Sequence, residues 1–240
     1  MRSVLVLTWK EIKQLFLSPI AYAFLMVFAF FVTFMFFRAF FLFGQATLGG
    51  FFYWWPFAFA FVVPGITMRT WAEERKQGTV EFLLTSPIET WHIVLAKFLA
   101  GLTLIAACIL LTVAVPYTVA LYGDLDPGPV WGGYLGALLM GGTCIAIGMF
   151  CSSFTQDQIV SFLVSLTVLL LLVLVGQEYF QSEFGKGSGF GRFLRLISPT
   201  SHFDSIGRGV VDLRDIYYFV AMTGLFLYLN VRVIDLRRWR

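Results

Sequence analysis

The sequence predicts an all-α membrane protein of six spans, on three observations. Only 13% of the 240 residues are charged, against roughly 25% in a soluble domain. Charge-free windows recur at 14–37, 39–68, 98–123, 127–156 and 158–177, with a shorter one at 216–231. Each is of the order of the ~20 residues a helix needs to cross a bilayer core. Hydrophobic residues make up 59% of the chain and include 28 Phe, a residue whose transfer into lipid is favourable. Since lipid satisfies no backbone polar group, a span must close its hydrogen bonds within itself as a helix. The windows place spans near 20–42, 51–69, 94–121, 131–152, 158–179 and 214–232, in one transmembrane domain covering 1–240.

The distribution of Lys and Arg orients these spans. Arg2, Lys10 and Lys13 precede the first. Arg69, Arg75, Lys76 and Lys97 flank the loop after the second, and Arg232, Arg237, Arg238 and Arg240 end the chain. Those eleven fall on one side, against six on the other: Arg38, Lys186, Arg192, Arg195, Arg208 and Arg214. The positive-inside rule then puts both termini in the cytoplasm. The net charge of +3 is too small and dispersed for a nucleic-acid surface, and the basic ends read as membrane-surface anchors.

Residues 2–17 form an amphipathic helix at the interface. Leu5, Trp9, Ile12 and Phe16 share one face, and Lys10 and Lys13 fall mostly on the other. Anchoring and protein docking are both open as its role. Ser18-Pro19 breaks it and starts the first span, which is too long and too late to be a cleavable signal. Arg38, near the outer end of that span, reads as snorkelling to the headgroups, with a substrate contact as the other reading. In the second span Pro56 and Pro64 are candidate kinks, and Trp54 and Trp55 read as interface-belt aromatics.

Residues 69–92 carry the most information. A helix leaves the membrane through Glu73, Glu74, Arg75 and Lys76, and Gly78 ends it in the left-handed conformation. Thr79 caps a short apolar helix with Glu81 near its start. Phe82 and Leu83 form its exposed tip, Pro87 stops it, and Thr90 caps the third span. An apolar tip rimmed by charge fits docking to a partner; resting on lipid is the other reading.

The fourth span repeats small residues at four-residue spacing, Gly132/Gly136, Ala137/Gly141 and Gly142/Ala146. This pattern allows close helix packing within the chain first and between chains second. Thr155 and Gln158 match a capping box for the fifth span. Residues 180–213 are too apolar for a free loop and too charged for a span. Two short outer-leaflet helices, broken at Ser198-Pro199 and restarted with Ser201 as cap, fit best.

Several chemistries are missing. There is no GxxxxGK[ST] phosphate loop. His92 and His202, the two histidines, lie on opposite sides of the membrane, which disfavours a metal cluster or a Ser–His–Asp arrangement. Cys108, Cys144 and Cys151 fit no CxxC spacing and read as packing residues. No span centre carries the ionisable group expected of a proton-coupled pump. An active machine of this kind needs an energised partner.

The stretch Glu73-Glu74-Arg75-Lys76-Gln77-Gly78-Thr79-Val80-Glu81-Phe82-Leu83-Leu84-Thr85-Ser86-Pro87, the amphipathic N-terminus and the late run from Ile197-Ser198-Pro199 through His202-Phe203-Asp204 to Arg208 and Asp212 resemble the permease subunits of ABC-2-type transporters. The gliding-motility and nitrous-oxide-reductase-maturation permeases look closest. The resemblance implies the type V ABC exporter fold. It implies that Glu73, Glu74, Arg75, Gly78, Thr79, Glu81, Phe82, Leu83 and Pro87 form the coupling helix-turn-helix, residues 70–90, which enters a groove on a cytoplasmic ATP-binding cassette subunit. Leu5, Trp9, Lys10, Ile12, Lys13 and Phe16 belong to the connecting helix beside it. Pro199, His202, Phe203, Asp204 and Arg208 belong to the outer gate region. The implied assembly holds two ATPase subunits, a second permease copy (the same chain or a relative), lipid and a periplasmic accessory protein, in the cell inner membrane. ATP and Mg are bound by the partner, and no cofactor by this chain, which is not itself an enzyme. A secondary transporter, a membrane scaffold that transmits force without transport, and an intramembrane hydrolase are the other readings. The first is disfavoured by the absence of intramembrane ionisable residues and the last by the lack of paired catalytic residues.

Overall fold

The computed structural model of the chain describes residues 2–43, 49–78, 89–121, 126–177, 193–194, 196–209 and 212–238. These contain ten helices and no strand: α1 (Arg2–Leu17), α2 (Pro19–Phe43), α3 (Gly49–Tyr53), α4 (Trp55–Lys76), α5 (Thr90–Leu111), α6 (Ala114–Ala120), α7 (Pro127–Ser152), α8 (Gln158–Val175), α9 (Pro199–Gly207) and α10 (Leu213–Arg238). Among the described residues six segments are long and apolar enough to cross a membrane: Pro19–Arg38, Gly50–Lys76, Thr90–Ala120, Pro127–Ser152, Gln158–Val175 and Leu213–Leu236.

Helix α7 is the central column. Of its span 78% is buried inside the chain, against 28% for α2, 22% for α8 and 17% for α10. Its glycines explain this. A Cβ at Gly133 would sit 2.4 Å from the Phe52 ring, at Gly141 2.6 Å from Ile105, at Gly148 2.3 Å from Thr67 Oγ1, and at Gly132 2.4 Å from the Ile206 carbonyl. The small-residue stripe is therefore spent on α3, α4, α5 and α9 of the same chain. Thr143 Oγ1 adds a polar tie to α10, lying 3.0 Å from Thr223 Oγ1 and donating to the Phe219 carbonyl at 3.3 Å.

Against α7 rests an aromatic cluster. Trp55, reading as a belt residue in the sequence, is fully buried. Phe28 meets it edge-on at 5.4 Å and Tyr134 at 5.7 Å, separations at which edge-to-face pairs are attractive. In a chain this rich in aromatics the belt signal does not separate a tryptophan facing lipid from one facing the core.

Proline and capping chemistry set the breaks. Pro56 is near the start of α4, so only Pro64 lies in the helix interior. The third span is two helices, broken at Thr112–Val113. Pro116 has no N–H for the Thr112 carbonyl four residues back. That carbonyl accepts instead from the Tyr134 hydroxyl at 3.1 Å and the Val115 N–H at 3.0 Å. Three expected caps are replaced. Glu89 precedes α5, while the Thr90 hydroxyl donates to Asp235 at 2.6 Å. Asp157, not Thr155, caps α8 by accepting from the Ile159 N–H at 2.8 Å. Ser198, not Ser201, precedes α9, and its hydroxyl donates to the Leu172 carbonyl at 3.2 Å. The Thr90 and Ser198 hydroxyls are drawn to neighbouring helices, which local spacing does not show, whereas at α8 Asp157 caps because it stands directly before the first helical residue.

Candidate functional site

The ends of α4, α7 and α10 and the starts of α5 and α8 meet beside α1, and Glu73, Glu74, Arg75 and Gly78 lie there. Helix α4 runs out through Glu73, Glu74 and Arg75. Its last turns are closed by the Gln77 N–H on the Glu73 carbonyl (3.0 Å) and the Gly78 N–H on the Arg75 carbonyl (3.2 Å). Gly78 has φ +70°, a conformation that disfavours any residue with a Cβ. Thr79, Glu81, Phe82, Leu83 and Pro87 lie outside the described residues.

A buried cation organises this end. The Lys97 side chain is only 2% exposed. Its ammonium donates to Glu74 Oε1 at 2.5 Å and to Glu11 Oε2 at 3.3 Å, and sits 5.2 Å from the Trp71 ring centre. Helices α1, α4 and α5 each contribute a member. A buried lysine is strongly disfavoured unless paired, so the cation holds the two carboxylates and the ring in one arrangement. Arg75 points the other way. Its guanidinium donates to the carbonyls of Ser153 (3.1 Å) and Thr155 (3.0 Å), in the turn between α7 and α8. Cations suit this position, where the end of α7 leaves carbonyls unpaired. Ser152 completes the seam, its hydroxyl donating to the Met68 carbonyl at 3.3 Å and accepting from the N–H groups of Trp71 and Ala72.

The α1 face differs from its sequence expectation. Leu5 is 70% and Trp9 60% exposed, together with Lys10 and Lys13, and the Lys13 ammonium lies 5.3 Å from the Trp9 ring centre. Ile12 and Phe16 are half-buried, and Phe16 packs on the core with Leu7 and Leu15. The single stripe thus splits between the bundle and the outside, because Glu11 must turn inward to reach Lys97.

The outer candidates divide too. Pro199, His202 and Phe203 are buried, Asp204 is half-buried and Arg208 is exposed. Phe203 lies over Gly136. His202 Nδ1 lies 2.6 Å from Asp215 Oδ1, and its ring stacks on Tyr218 at 4.0 Å. The Tyr218 hydroxyl donates to the Ile197 carbonyl. Helix α9 is thereby pinned to α10 by polar contacts and to α7 by close packing.

Sequence reasoning missed Glu11, Lys97, Trp71, Ser152 and Asp215. Lys97 counted only as a topological charge. The available signal was its place one turn inside a span, where an unpaired lysine is too costly to stand. Among the described residues no group of three His, Cys, Asp or Glu is placed to hold a metal.

A search of curated proteins gave no significant match. The profile of the family described as ABC-2 family transporter protein matches residues 5–233, nearly the whole chain. With six apolar helices and this match, the chain belongs to the ABC-2 transporter family as a multi-pass membrane permease, a transport component that is not itself the ATPase.

Proposed function

We propose that this permease takes up force from a cytoplasmic ATP-binding cassette subunit through residues 79–88 and converts it into a change of the bundle that drives export. The observation that carries the reading is how the two ends of that segment are anchored. Before it, Glu74 and Arg75 fasten α4 to α5 and the α7–α8 turn. After it, Thr90 fastens α5 to α10 through Asp235, and Lys97 fastens it to α1. A push on the segment then reaches four helices, α1, α4, α5 and α10, and the α7–α8 turn through polar contacts.

In the full assembly two such chains and two ATPase subunits work together, with ATP and Mg held by the ATPase. Phe82 and Leu83 are the contacts with the ATPase groove, and Thr79 and Glu81 belong to the same coupling segment. Both termini face the cytoplasm of the inner membrane, and α1 lies along the headgroups with Trp9, Lys10 and Lys13 outward. The Pro199–Arg208 segment closes the outer end of the path.

The test is the double variant F82A/L83A in the complex, with spin labels at the exposed Leu17 and Leu236. ATP hydrolysis should persist while the nucleotide-driven change in label distance disappears. A distance change identical to that of the unaltered complex overturns the assignment.

A further inference from the structure

Between α1, α2, α4, α5 and α7 lies an open cavity of about 200 Å³. Its two ends differ. At the α1 end it is lined by Glu11, Gln14, Ser18, Arg69, Glu73 and Lys97. Deeper it is lined by Phe24, Leu104, Ile145 and Met149. Gly65 keeps the slot narrow and aromatic-walled, since even a Cβ there would fall 1.9 Å from the Phe24 ring.

The charged end is incompletely used. Lys97 is committed to Glu11 and Glu74. Arg69 is not so committed. Of its five N–H donors, Nη1 reaches Ser18 Oγ at 3.3 Å, while Nε is buried with no hydrogen bond. Glu73, one turn on, stands 3.9 Å from Arg69 Nε, beyond hydrogen-bond length, and accepts from the Gln77 amide at 3.3 Å. A cation short of acceptors thus sits beside a carboxylate with acceptor capacity left, above an apolar slot.

We propose that this cavity binds a zwitterionic phospholipid with a primary ammonium, its phosphate on Arg69, its ammonium on Glu73 and the start of one acyl chain between Phe24, Leu104, Ile145 and Met149. Charge balance selects the head. With Lys97 taken by Glu11 and Glu74, the groups left to a ligand are one cation, Arg69, and one anion, Glu73, so a zwitterion matches both whereas a simple anion leaves Glu73 unmatched. A primary ammonium donates to a carboxylate; a quaternary one has no N–H to give. Size selects a lipid. The cavity is smaller than the roughly 300–1,000 Å³ of pockets that enclose a whole ligand, so it takes a head and a chain start and leaves the remainder in the bilayer. Its charged end sits where span ends meet the headgroups.

The inference does not rest on coupling to an ATPase, and its test needs no nucleotide. The full-length protein, extracted from membranes and stripped of lipid in detergent, is offered phosphatidylethanolamine, phosphatidylcholine or phosphatidylglycerol of matched chains, and retention is read by native mass spectrometry. One phosphatidylethanolamine per chain should survive about tenfold greater dilution than either other lipid, and Arg69→Gln should weaken it about tenfold. Glu73→Gln should erase the preference over phosphatidylcholine. Ala21→Phe, which fills the slot from α2, should lower retention while Arg69→Gln and Glu73→Gln, at side chains about one-third exposed, decide the matter even if that variant fails to fold. Equal retention of the three lipids, or an unchanged Arg69→Gln, overturns the proposal. So does displacement of the lipid by an equal concentration of chain-free glycerophosphoethanolamine, which would make the site one for a soluble head.

Discussion

The two ends of the bundle are held together by different physics. At the α1 end, helices meet through charge: Lys97 between Glu11 and Glu74, Arg75 on the Ser153 and Thr155 carbonyls, Thr90 on Asp235. At the far end α9 meets α7 through close packing, with the buried His202–Asp215 pair as its tie to α10. Gly132 and Gly136 admit α9 onto α7, and Gly176 leaves room for Ser198 and Thr200. Polar contacts between long side chains can be exchanged for others when helices shift by an ångström or two, whereas interlocked cores resist continuous deformation. The difference suits the proposed function, in which motion enters at the α1 end and the outer end stays closed until it arrives.

The largest effect should come from removing the shared cation. Lys97→Met leaves Glu11 and Glu74 facing one another with no counter-charge, in a site where both carboxylates are four-fifths shielded or more. Breaking a buried pair in this way costs about 3–5 kcal/mol. The melting temperature in detergent should fall steeply, and the triple variant with Glu11→Gln and Glu74→Gln should regain most of the loss. If Lys97→Met alone melts like the unaltered protein, the charge is not what joins α1 to α4 and α5.

A smaller effect is expected at the packed end. Gly132→Ala places a methyl 2.4 Å from the Ile206 carbonyl, a backbone atom that moves only if α9 moves. Overpacking of this kind costs about 1–3 kcal/mol. Gly142→Ala is the control on the same helix. Its methyl would meet Leu102 at 3.5 Å and Phe98 at 3.6 Å, ordinary contact distances, and the gain in helix propensity of up to ~1 kcal/mol should leave it neutral or stabilised. Equal melting of the two variants would show that α9 is not seated by the glycine stripe.

The same contrast explains what could be read from the sequence. Spans are legible because lipid imposes one rule on every backbone group, and a charge-free window reports it directly. The glycine stripe is legible because its meaning needs no partner's identity, only closeness. The α1 end is legible only in part. Glu73, Glu74, Arg75 and Gly78 stand out as a charged exit with a left-handed stop, yet the residues that complete the site come from sequence positions 11, 71, 97 and 152. Each looks ordinary where it stands: Glu11 is one acid on a basic helix, and Lys97 is one more positive charge. The Thr90 cap failed for the same reason, since its hydroxyl goes to Asp235 on the facing helix. Asp215 became a candidate only once α10 brought it to His202.

The smallest effect isolates the outer face of α1, where the sequence expected one apolar stripe and the structure divides it. Leu5 and Trp9 point away from the bundle, whereas Phe16 packs on it. Leu5→Ala with Trp9→Ala should change the stability of the detergent-solubilised fold by no more than ~0.5 kcal/mol, as surface substitutions usually do. Phe16→Ala should cost more, because it uncovers core that nothing else can fill. In lipid bilayers the order should reverse for the depth of α1, since an interfacial helix is held by the apolar area it buries among the headgroups. A fluorophore on exposed Lys10, quenched by headgroup-placed nitroxide, reads that depth. Weaker quenching in the Leu5/Trp9 variant with unchanged melting would assign the outer face to lipid and the inner face to the fold. Unchanged quenching would return Trp9 to the surfaces open for a protein partner.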